Sequence, residues 1–270
     1  MNENKDKELE FTKKICEYIT KNGRKPSLAT IDSEGHLIQE EIPDDIDCAL
    51  ILGGDGTIIR ASRELAGRQI PLLGFNLGTL GYLAEVEVLD FKKALDKIFQ
   101  GRYTIEKRMM LAGCINDSLE NTAINDIVIA REGSLKIASF NVYVNGILLN
   151  NYMADGVIIS TPTGSTGYNL SAGGPIVEPT AGIVVITPIC SHALNTSSIV
   201  LSADDIIIVE VCLDRYGNPE RMAVTFDGTE PVTMTTGDRV VINKSQMVTK
   251  LIKLTEESFL KTLKTKMKGK

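Results

Sequence analysis

The stretch Leu52-Gly53-Gly54-Asp55-Gly56-Thr57 directly follows the apolar run Cys48-Ala49-Leu50-Ile51. The apolar run predicts a buried strand, and the glycines predict a tight turn at its carboxyl end, with a helix beginning near Thr57. Glycine lets backbone N–H groups approach an anion closely, and the N-terminus of a helix carries partial positive charge. The turn is therefore predicted to hold a phosphate group.

Asp55 is the one carboxylate in this turn. A bound phosphate would repel it, unless a divalent cation bridges the two groups or the carboxylate accepts a proton during the reaction. Either arrangement indicates phosphoryl transfer. The alternative is a simple strand-to-helix turn in which Asp55 only caps the helix.

The residues around this turn predict an α/β domain. A helix at Ile58–Ala66 and a short apolar strand at Ile70–Phe75 complete a β-α-β unit with a parallel sheet. A second glycine-rich turn, Asn76–Gly81, follows that strand, at the kind of sheet edge where α/β proteins bind ligands. Helical spacing of apolar residues predicts further helices at Lys7–Asn22 and Asp90–Phe99.

Beyond Tyr103 the apolar residues alternate with a period of two, which predicts an all-β domain. The predicted strands are Met109–Ile115, Ile124–Ala130, Ala138–Val144, Gly156–Ser160, Ile183–Thr187, Ile206–Leu213, Met222–Phe226 and Arg239–Asn243. Asn145-Gly146 is a strong hairpin turn, and Asp117–Asn121 is a weaker loop. The predicted domains are 1–102 and 103–250. The segment 251–270 is predicted to return to the first domain, with Leu251–Leu263 as either strand or helix.

Composition excludes several classes of function. The formal net charge of -6 argues against a nucleic-acid partner, whose backbone requires a basic surface. Only two histidines are present, which excludes zinc sites built on paired histidines. The polar N-terminus, the lack of an apolar run that could cross a bilayer and the five scattered cysteines predict a cytoplasmic protein without a membrane partner.

A second cluster of small polar residues follows the predicted strand that Asp155-Gly156 opens. It reads Thr161-Pro162-Thr163-Gly164-Ser165-Thr166-Gly167-Tyr168-Asn169-Leu170-Ser171-Ala172-Gly173-Gly174-Pro175. Such residues cannot form a core, but their backbone can approach a flat polar ligand, with hydroxyls for its edges and Tyr168 to stack on a ring. This composition suits a nucleoside. The alternative is a flexible Ser/Gly loop.

Asn125-Asp126 precedes the strand Ile127-Val128-Ile129 and supplies an amide and a carboxylate. A carboxylate is the usual acceptor for a ribose diol, because it receives two hydroxyl donors at once. Alone, however, Asn-Asp is also a common turn pair.

Taken together, these motifs resemble the bacterial NAD kinase family, over the range Asp47 to Asp238. The resemblance implies an N-terminal α/β domain with a parallel sheet and a C-terminal β-sandwich-like domain. It also implies a kinase that transfers a phosphoryl group from ATP or polyphosphate to the adenosine ribose 2′-hydroxyl of NAD, giving NADP. A divalent cation, Mg²⁺, would assist, and the chain would form a homodimer or homotetramer.

The resemblance assigns roles to individual residues. Asp55 would be the proton acceptor, Asn125 and Asp126 would hold the hydroxyls of the dinucleotide, and Tyr168 would lie against a ring. The full set of substrate-binding positions is Gly53, Gly54, Gly56, Thr57, Asn76, Tyr82, Asn125, Asp126, Lys136, Asp155, Thr163, Ser165, Thr166, Gly167, Tyr168, Asn169, Leu170 and Ser171.

The sequence also departs from the family pattern. Members usually begin with an apolar strand, but Met1–Asp6 is polar after the methionine, so that strand is predicted to be missing. Gly167 replaces the usual alanine, and Thr229 replaces a glutamine after Asp227-Gly228. Two other functions stay open: a non-catalytic sensor that binds NAD(P), and a lipid kinase of the diacylglycerol type, whose phosphate turn is similar.

Overall fold

The computed structural model describes residue 6 and residues 9–32, 36–78, 81–133, 137–191, 197–255 and 259–267. Lys136, one of the expected binding residues, lies outside this set. Residues 1–5 also lie outside it, so the predicted absence of a first strand at Met1–Asp6 concerns residues that, apart from Asp6, are not described. The chain divides into two compact units. The first contains Met1–Lys107 and Thr249–Lys270, and the second contains Arg108–Val248.

The structure has helices in both units, although the second is mainly strand. The helices are α1 (Glu10–Lys21), α2 (Asp55–Leu65), α3 (Phe91–Phe99), α4 (Tyr168–Ser171) and α5 (Phe259–Met267). Within the described ranges, no helix has both the length and the apolar character needed to span a membrane. Short 3₁₀ turns are found at Gln39–Glu41, Ala66–Arg68, Val88–Asp90 and Gly164–Thr166.

The strands account for most of the remaining regular structure. They are β1 (Ala49–Gly53), β2 (Leu72–Asn76), β3 (Val86–Glu87), β4 (Thr104–Ile115), β5 (Leu119–Ala123), β6 (Asp126–Arg131), β7 (Ala138–Val144), β8 (Ile147–Ala154), β9 (Gly156–Ser160), β10 (Ile183–Ile189), β11 (Ile199–Ser202), β12 (Ile207–Val211), β13 (Arg221–Phe226), β14 (Val232–Thr235) and β15 (Arg239–Lys253).

The first unit is an α/β structure built on a parallel sheet, as predicted. Strand β2 pairs in parallel with β1, with β3 and, at Leu251, with the end of β15. One face of the sheet packs Leu52 and Phe75 against α1 and α3. The other face packs Ile51 and Leu72 against α2. Because both faces are covered, the strands read as continuous apolar runs.

Helices α1 and α3 begin slightly later than predicted, at Glu10 and Phe91, whereas α2 begins earlier. Helix α2 begins at Asp55, three residues before the predicted Ile58, with Gly54 in an extended conformation ahead of it. An acidic residue in the first turn favours this earlier start, because it complements the helix dipole. The undecided segment Leu251–Leu263 is both strand and helix: β15 runs to Lys253, and α5 begins at Phe259.

The second unit is a β-sandwich, which confirms the predicted class. Strands β11-β10-β9-β6-β13-β14 form one antiparallel sheet, and β7 pairs with β8 and β12 in the other. Alternate residues of the two sheets meet in one core. Its largest members include Phe140, Phe226, Ile127 and Ile129, all 0–1% exposed. Buried residues alternate with less buried ones in β7, β12 and β13, which explains why these strands could be predicted from the sequence. Strands β9 and β10 are buried on both faces and form continuous apolar runs instead.

Several strands of the second unit were not predicted, namely β5, β8, β11, β14 and the second half of β15. Strand β8 shows the reason, because Ile147 to Asn151 are all exposed and give no alternating pattern. Strand β8 is the last strand of its sheet, so its residues need not pack against a core along the whole strand. In β15, polar residues around Lys244 interrupt the apolar alternation.

The sandwich core predicts which substitutions unfold the second unit. We expect Ile186→Ala to lower the free energy of unfolding by about 2–5 kcal/mol, because Ile186 is fully buried in β10. Ile206→Ala is the matched control. Ile206 is 44% exposed, so its replacement should cost no more than about 1 kcal/mol. Urea denaturation measures both, and equal losses would contradict the assigned core.

Candidate functional site

Asp55 is held by the backbone of a returning segment of the first unit. It lies at the first position of α2, directly after β1 and Gly54. Its Oδ2 accepts a hydrogen bond from the N–H of Tyr82 at 2.7 Å, and its Oδ1 accepts one from the N–H of Leu83 at 3.1 Å. Each carboxylate oxygen keeps a further lone pair, since an ionised carboxylate can accept about four hydrogen bonds. Asp55 is thus fixed in direction and can accept further hydrogen bonds.

Two glycines leave room for the close contacts around Asp55 and Thr57. A Cβ atom on Gly81 would overlap the carboxylate of Asp55, so any larger residue there must displace it. A Cβ atom on Gly53 would likewise overlap Thr57, whose side chain packs against the end of β1. Gly56 is exposed with open space around its Cα atom. The turn is therefore closed on its inner side and open on its outer side.

Asn76 closes the second turn rather than facing solvent. It is only 2% exposed, its Oδ1 accepts from the N–H of Gly78 at 3.1 Å, and its Nδ2 donates to the Gly78 carbonyl and to Glu87, both at 2.8 Å. These bonds use the polar atoms of the side chain within the first unit. Asn76 therefore shapes the turn at the end of β2.

Tyr82 links the Asp55 segment to the C-terminal helix of the same unit. Its ring lies 6.3 Å from that of Phe259, between centroids, and the Lys266 ammonium lies 3.9 Å above it. Burial, and then the negative charge of Asp55, raise the pKa of Tyr82. The phenol is thus neutral at physiological pH. Its ring packs against Phe259 and Lys266, next to the backbone N–H that donates to Asp55.

The second unit contains a cavity of about 350 Å³ that brings together three of the predicted residues, Asn125, Asp126 and Tyr168. The remaining lining residues, none of which was among the predicted binding positions, are Val128, Thr225, Asp227 and Gly228. A flat polar ligand can therefore meet an amide, carboxyl groups and one exposed aromatic ring within a single cavity.

Asp227 organises the wall of this cavity. Its Oδ2 accepts from the N–H of Ile124 at 2.8 Å, and its Oδ1 accepts from the N–H groups of Asn125 and Asp126 at 2.7 and 3.1 Å. The sheet register explains the proximity, because Phe226 pairs with Ile127 and so brings the end of β13 beside the start of β6. Asp227 adopts a left-handed backbone conformation, with φ of 52°. Aspartate tolerates this region better than most residues do.

Asp126 has an unusual electrostatic environment. It is 6% exposed, and burial together with the negative charge of Asp227 raises its pKa to about 7. Burial disfavours the ionised form, and a like charge nearby disfavours it further. Asp126 therefore changes its protonation state near neutral pH.

The glycine-rich segment after β9 is anchored to the same strand end. Thr161 donates its N–H to the carbonyl of Asn125 at 2.8 Å and its hydroxyl to the carbonyl of Ile124 at 2.5 Å. A Cβ atom on Gly164 would overlap the Asn125 carbonyl, so glycine is required at this contact. The segment is thus packed against the cavity wall and is not a flexible loop.

Ser165 and Asn169 are buried supports of this segment. The Ser165 hydroxyl donates to the carbonyl of Pro162 at 2.7 Å and accepts from the N–H of Val177 at 3.0 Å. The Asn169 amide donates to the carbonyls of Ser165 and Pro175 and accepts from the Thr187 hydroxyl. Both side chains are fully buried, so their polar atoms hold the segment together from inside.

The other predicted residues of this segment range from buried Thr163 to exposed Ser171. The Thr163 hydroxyl accepts from Arg108 at 3.2 Å, and Thr166 donates to the Thr163 carbonyl at 3.4 Å. Gly167 is half-buried, whereas Tyr168, Leu170 and Ser171 are exposed. Tyr168 is 47% exposed and Leu170 is 41% exposed.

Asp155 does not line the cavity of the second unit. Its carboxylate pairs with Nε of Arg131 at 3.0 Å, and both side chains are partly exposed. Over the described part of the chain, no group of three or more His, Cys, Asp or Glu side chains could by itself hold a metal ion.

Comparison with known proteins identifies the two parts of the chain separately. Residues 1–103 match the family model of the ATP-NAD kinase N-terminal domain, and residues 124–254 match that of the ATP-NAD kinase C-terminal domain. The NAD kinase of Agathobacter rectalis is 46% identical over 268 residues, which cover 97% of this chain and 95% of that protein. The NAD kinase of Lachnoclostridium phytofermentans is 44% identical, with 100% and 97% covered.

Two solved structures share the fold. An NAD kinase from Archaeoglobus fulgidus in complex with ATP has a TM-score of 0.79 and 26% identity, and the match covers 96% of this chain and 95% of that one. Yeast NADH kinase complexed with NADH has a TM-score of 0.78 and 27% identity, with 84% and 70% covered.

The matches to both family models define the class: the chain is a kinase, built from an α/β unit and a β-sandwich. Two NAD kinases are more than 40% identical to this chain over nearly its full length, and both family models of ATP-NAD kinase match it. The chain belongs to the NAD kinase family. It is therefore an enzyme with NAD kinase function, and the family resemblance of its motifs is confirmed.

The contact between Gly81 and Asp55 gives a test of the first unit. We expect Gly81→Ala to lower kcat by about 100-fold, because the added methyl group displaces the Asp55 carboxylate from the N–H groups that orient it. Gly67→Ala is the control, since a Cβ atom on Gly67 meets nothing within 4 Å. Steady-state kinetics and circular dichroism measure both variants. Unchanged kcat in Gly81→Ala would show that Asp55 does not need this position.

Proposed function

We propose that this chain transfers a phosphoryl group from ATP to the adenosine ribose 2′-hydroxyl of NAD and so produces NADP. The observation that carries the proposal is the cavity in which Asn125, Asp126 and Tyr168 meet, in a chain of the NAD kinase family. ATP as donor is supported by the ATP complex of the Archaeoglobus fulgidus NAD kinase, which this chain resembles over 96% of its length.

The second unit is proposed to bind the dinucleotide. An ionised Asp126 can accept both hydroxyls of a ribose diol, and the Asn125 amide supplies both a donor and an acceptor. The ring of Tyr168, which is 47% exposed, is available to stack on a base. Asp155, Lys136, the half-buried Thr166 and Gly167, and the exposed Leu170 and Ser171 stay predicted binding positions. Ser165 and Asn169 support the segment from its buried side.

The first unit is proposed to supply the chemistry. A ribose hydroxyl is a poor nucleophile, so the reaction requires a base that accepts its proton. Asp55 is proposed as this base, because two backbone N–H groups fix its direction and leave lone pairs free. The N-terminus of α2, with Gly54 and Gly56, is proposed to hold donor phosphates through its backbone N–H groups.

A divalent cation, Mg²⁺, fits this arrangement. Mg²⁺ is usually held by one or two carboxylates together with substrate phosphates, and Asp55 provides one such carboxylate beside the proposed phosphate turn. When bound, the cation would spread the negative charge of the transferred group. Protein ligands alone do not form a complete site among the described residues, so phosphate oxygens would complete it.

Replacing the proposed base tests the mechanism. We expect Asp55→Asn to bind NAD with little change and to lose turnover by about 100-fold or more, because the amide cannot accept a proton. Asp90→Asn is the control: Asp90 lies directly before α3 of the first unit, and its carboxylate pairs with the exposed ammonium of Lys93 at 3.0 Å. NADP formation is followed with ATP and, separately, with polyphosphate.

Three outcomes of this assay would contradict the proposal. An undiminished rate in Asp55→Asn would remove Asp55 from the mechanism. Activity with polyphosphate but not with ATP would overturn ATP as the donor. Tight NAD binding without NADP from either donor would indicate a non-catalytic sensor.

We also propose that the chain forms a homo-oligomer through β8. This terminal strand carries no charged residue, and Ile147, Leu148, Leu149 and Met153 are 37–75% exposed on it. An uncharged apolar edge strand is a template for pairing with another chain. A second copy presents the same strand and can pair with it in antiparallel fashion, as a two-fold interface requires.

Light scattering after size-exclusion chromatography tests this assembly. We expect the wild-type chain to have at least twice its monomer mass of 29.4 kDa. Leu148→Lys should shift it toward the monomer, because a buried unpaired charge opposes association. Val200→Lys on β11, which ends the other sheet, is the control and should leave the mass unchanged. A monomeric wild-type chain would contradict the proposal.

A further inference from the structure

Asp227 lies in the cavity of the second unit, yet it was not among the predicted binding positions, although Asp227-Gly228 matches the family pattern. We propose that Asp227 is a positioning residue for NAD binding, which fixes the backbone of Ile124, Asn125 and Asp126 and makes dinucleotide binding release a proton from Asp126. This inference rests on the proposed role of Asp126 as acceptor for a ribose diol.

The positioning role follows from the hydrogen bonds. Three successive N–H groups, those of Ile124, Asn125 and Asp126, donate to the two oxygens of the Asp227 carboxylate at 2.7–3.1 Å. The N–H of Asp227 in turn donates to the Asp126 carbonyl at 3.0 Å. An asparagine would place an NH₂ group where one oxygen now accepts, so at least one backbone N–H would lose its acceptor. Asp227 therefore determines how Asn125 and Asp126 are presented to the cavity.

The proton-linked role follows from the charges around Asp126. The described lining of the cavity contains two carboxyl groups and the Tyr168 phenol as its titratable groups, and it contains no basic side chain. Asp126 is nearly buried, so the negative charge of Asp227 is poorly screened from it. Burial, and then Asp227, raise the pKa of Asp126 to about 7. Without ligand, about half of the molecules thus carry a proton on Asp126 at pH 7.

Binding of a ribose diol changes this balance. An ionised carboxylate accepts two hydroxyl donors, whereas a protonated one presents its own O–H to the ligand. NAD therefore selects the ionised form, and the Asp126 proton leaves to the solvent buffer. The affinity for NAD is therefore highest at pH values above the pKa of Asp126, and it decreases as the pH falls below that pKa. We expect Kd for NAD to be about tenfold higher at pH 6 than at pH 8, from the fraction of competent molecules.

Calorimetry on the wild-type enzyme tests the proton release directly. NAD is titrated at pH 7 in two buffers that differ in ionisation enthalpy. We expect about half a proton to be released per NAD bound, and close to none at pH 9. Binding at pH 7 without proton release would overturn the proposal.

A variant of Asp227 separates this role from a merely structural one. In Asp227→Asn we expect the ratio of Kd at pH 6 to Kd at pH 8 to fall to about threefold or less, because burial alone raises the pKa of Asp126 less. A structural defect would raise Kd equally at both pH values and keep the tenfold ratio, and that result would overturn the proposal.

Two further variants complete the design. Asp214→Asn is the matched control, because Asp214 also accepts two backbone N–H groups, those of Tyr216 and Asn218, but in an exposed turn. It should keep the tenfold ratio. Asp126→Asn should bind NAD with no dependence on pH in this range. If Asp126→Asn keeps both wild-type affinity and the tenfold ratio, the proposed role of Asp126 itself fails. Should Asp227→Asn not fold, calorimetry and Asp126→Asn decide the matter.

Discussion

The hydrogen bonds from three consecutive backbone N–H groups to Asp227 are the constraint around which the cavity of the second unit is built. They fix the start of β6, and the glycine-rich segment is attached to the same residues through Thr161 and Gly164. The positions of Asn125 and Asp126 are thus determined by the backbone rather than by their own side chains. The same principle recurs in the first unit, where two N–H groups hold the carboxylate of Asp55.

Using carboxylates as anchors has an electrostatic cost in the second unit. Asp227 is well solvated by backbone N–H groups, but its charge lies beside nearly buried Asp126. Between the pKa of an unfolded aspartate, 3.8, and about 7, the folded chain holds a proton there that the unfolded chain has released. The contribution of Asp126 to stability is therefore complete at low pH and declines as the pH rises toward 7. The ionised form of Asp126, which is suited to bind a ribose diol, therefore lowers the stability of the folded chain when no ligand is bound.

Local sequence predicted the features that depend on neighbours in the chain. The β1-α2 turn, the parallel sheet of the first unit and the alternating core strands of the second were all visible, because each depends on side-chain spacing within about ten residues. Asp227 was not predicted as a residue of the site, although Asp227-Gly228 matches the family pattern. It lies about one hundred positions after Asn125, and only the register of β13 on β6 brings the two together. Strand β8 was missed because its exposed apolar residues do not alternate.

The buried hydrogen bonds of Ser165 and Asn169 have a consequence for the thermodynamics of recognition. A segment of serine, threonine and glycine would ordinarily lose much conformational freedom when it closes around a ligand. Here that entropy has already been lost during folding, since the side chains are tied to carbonyls inside the protein. Ligand affinity in the second unit thus draws on a preorganised surface, and little of the interaction energy is needed to order it.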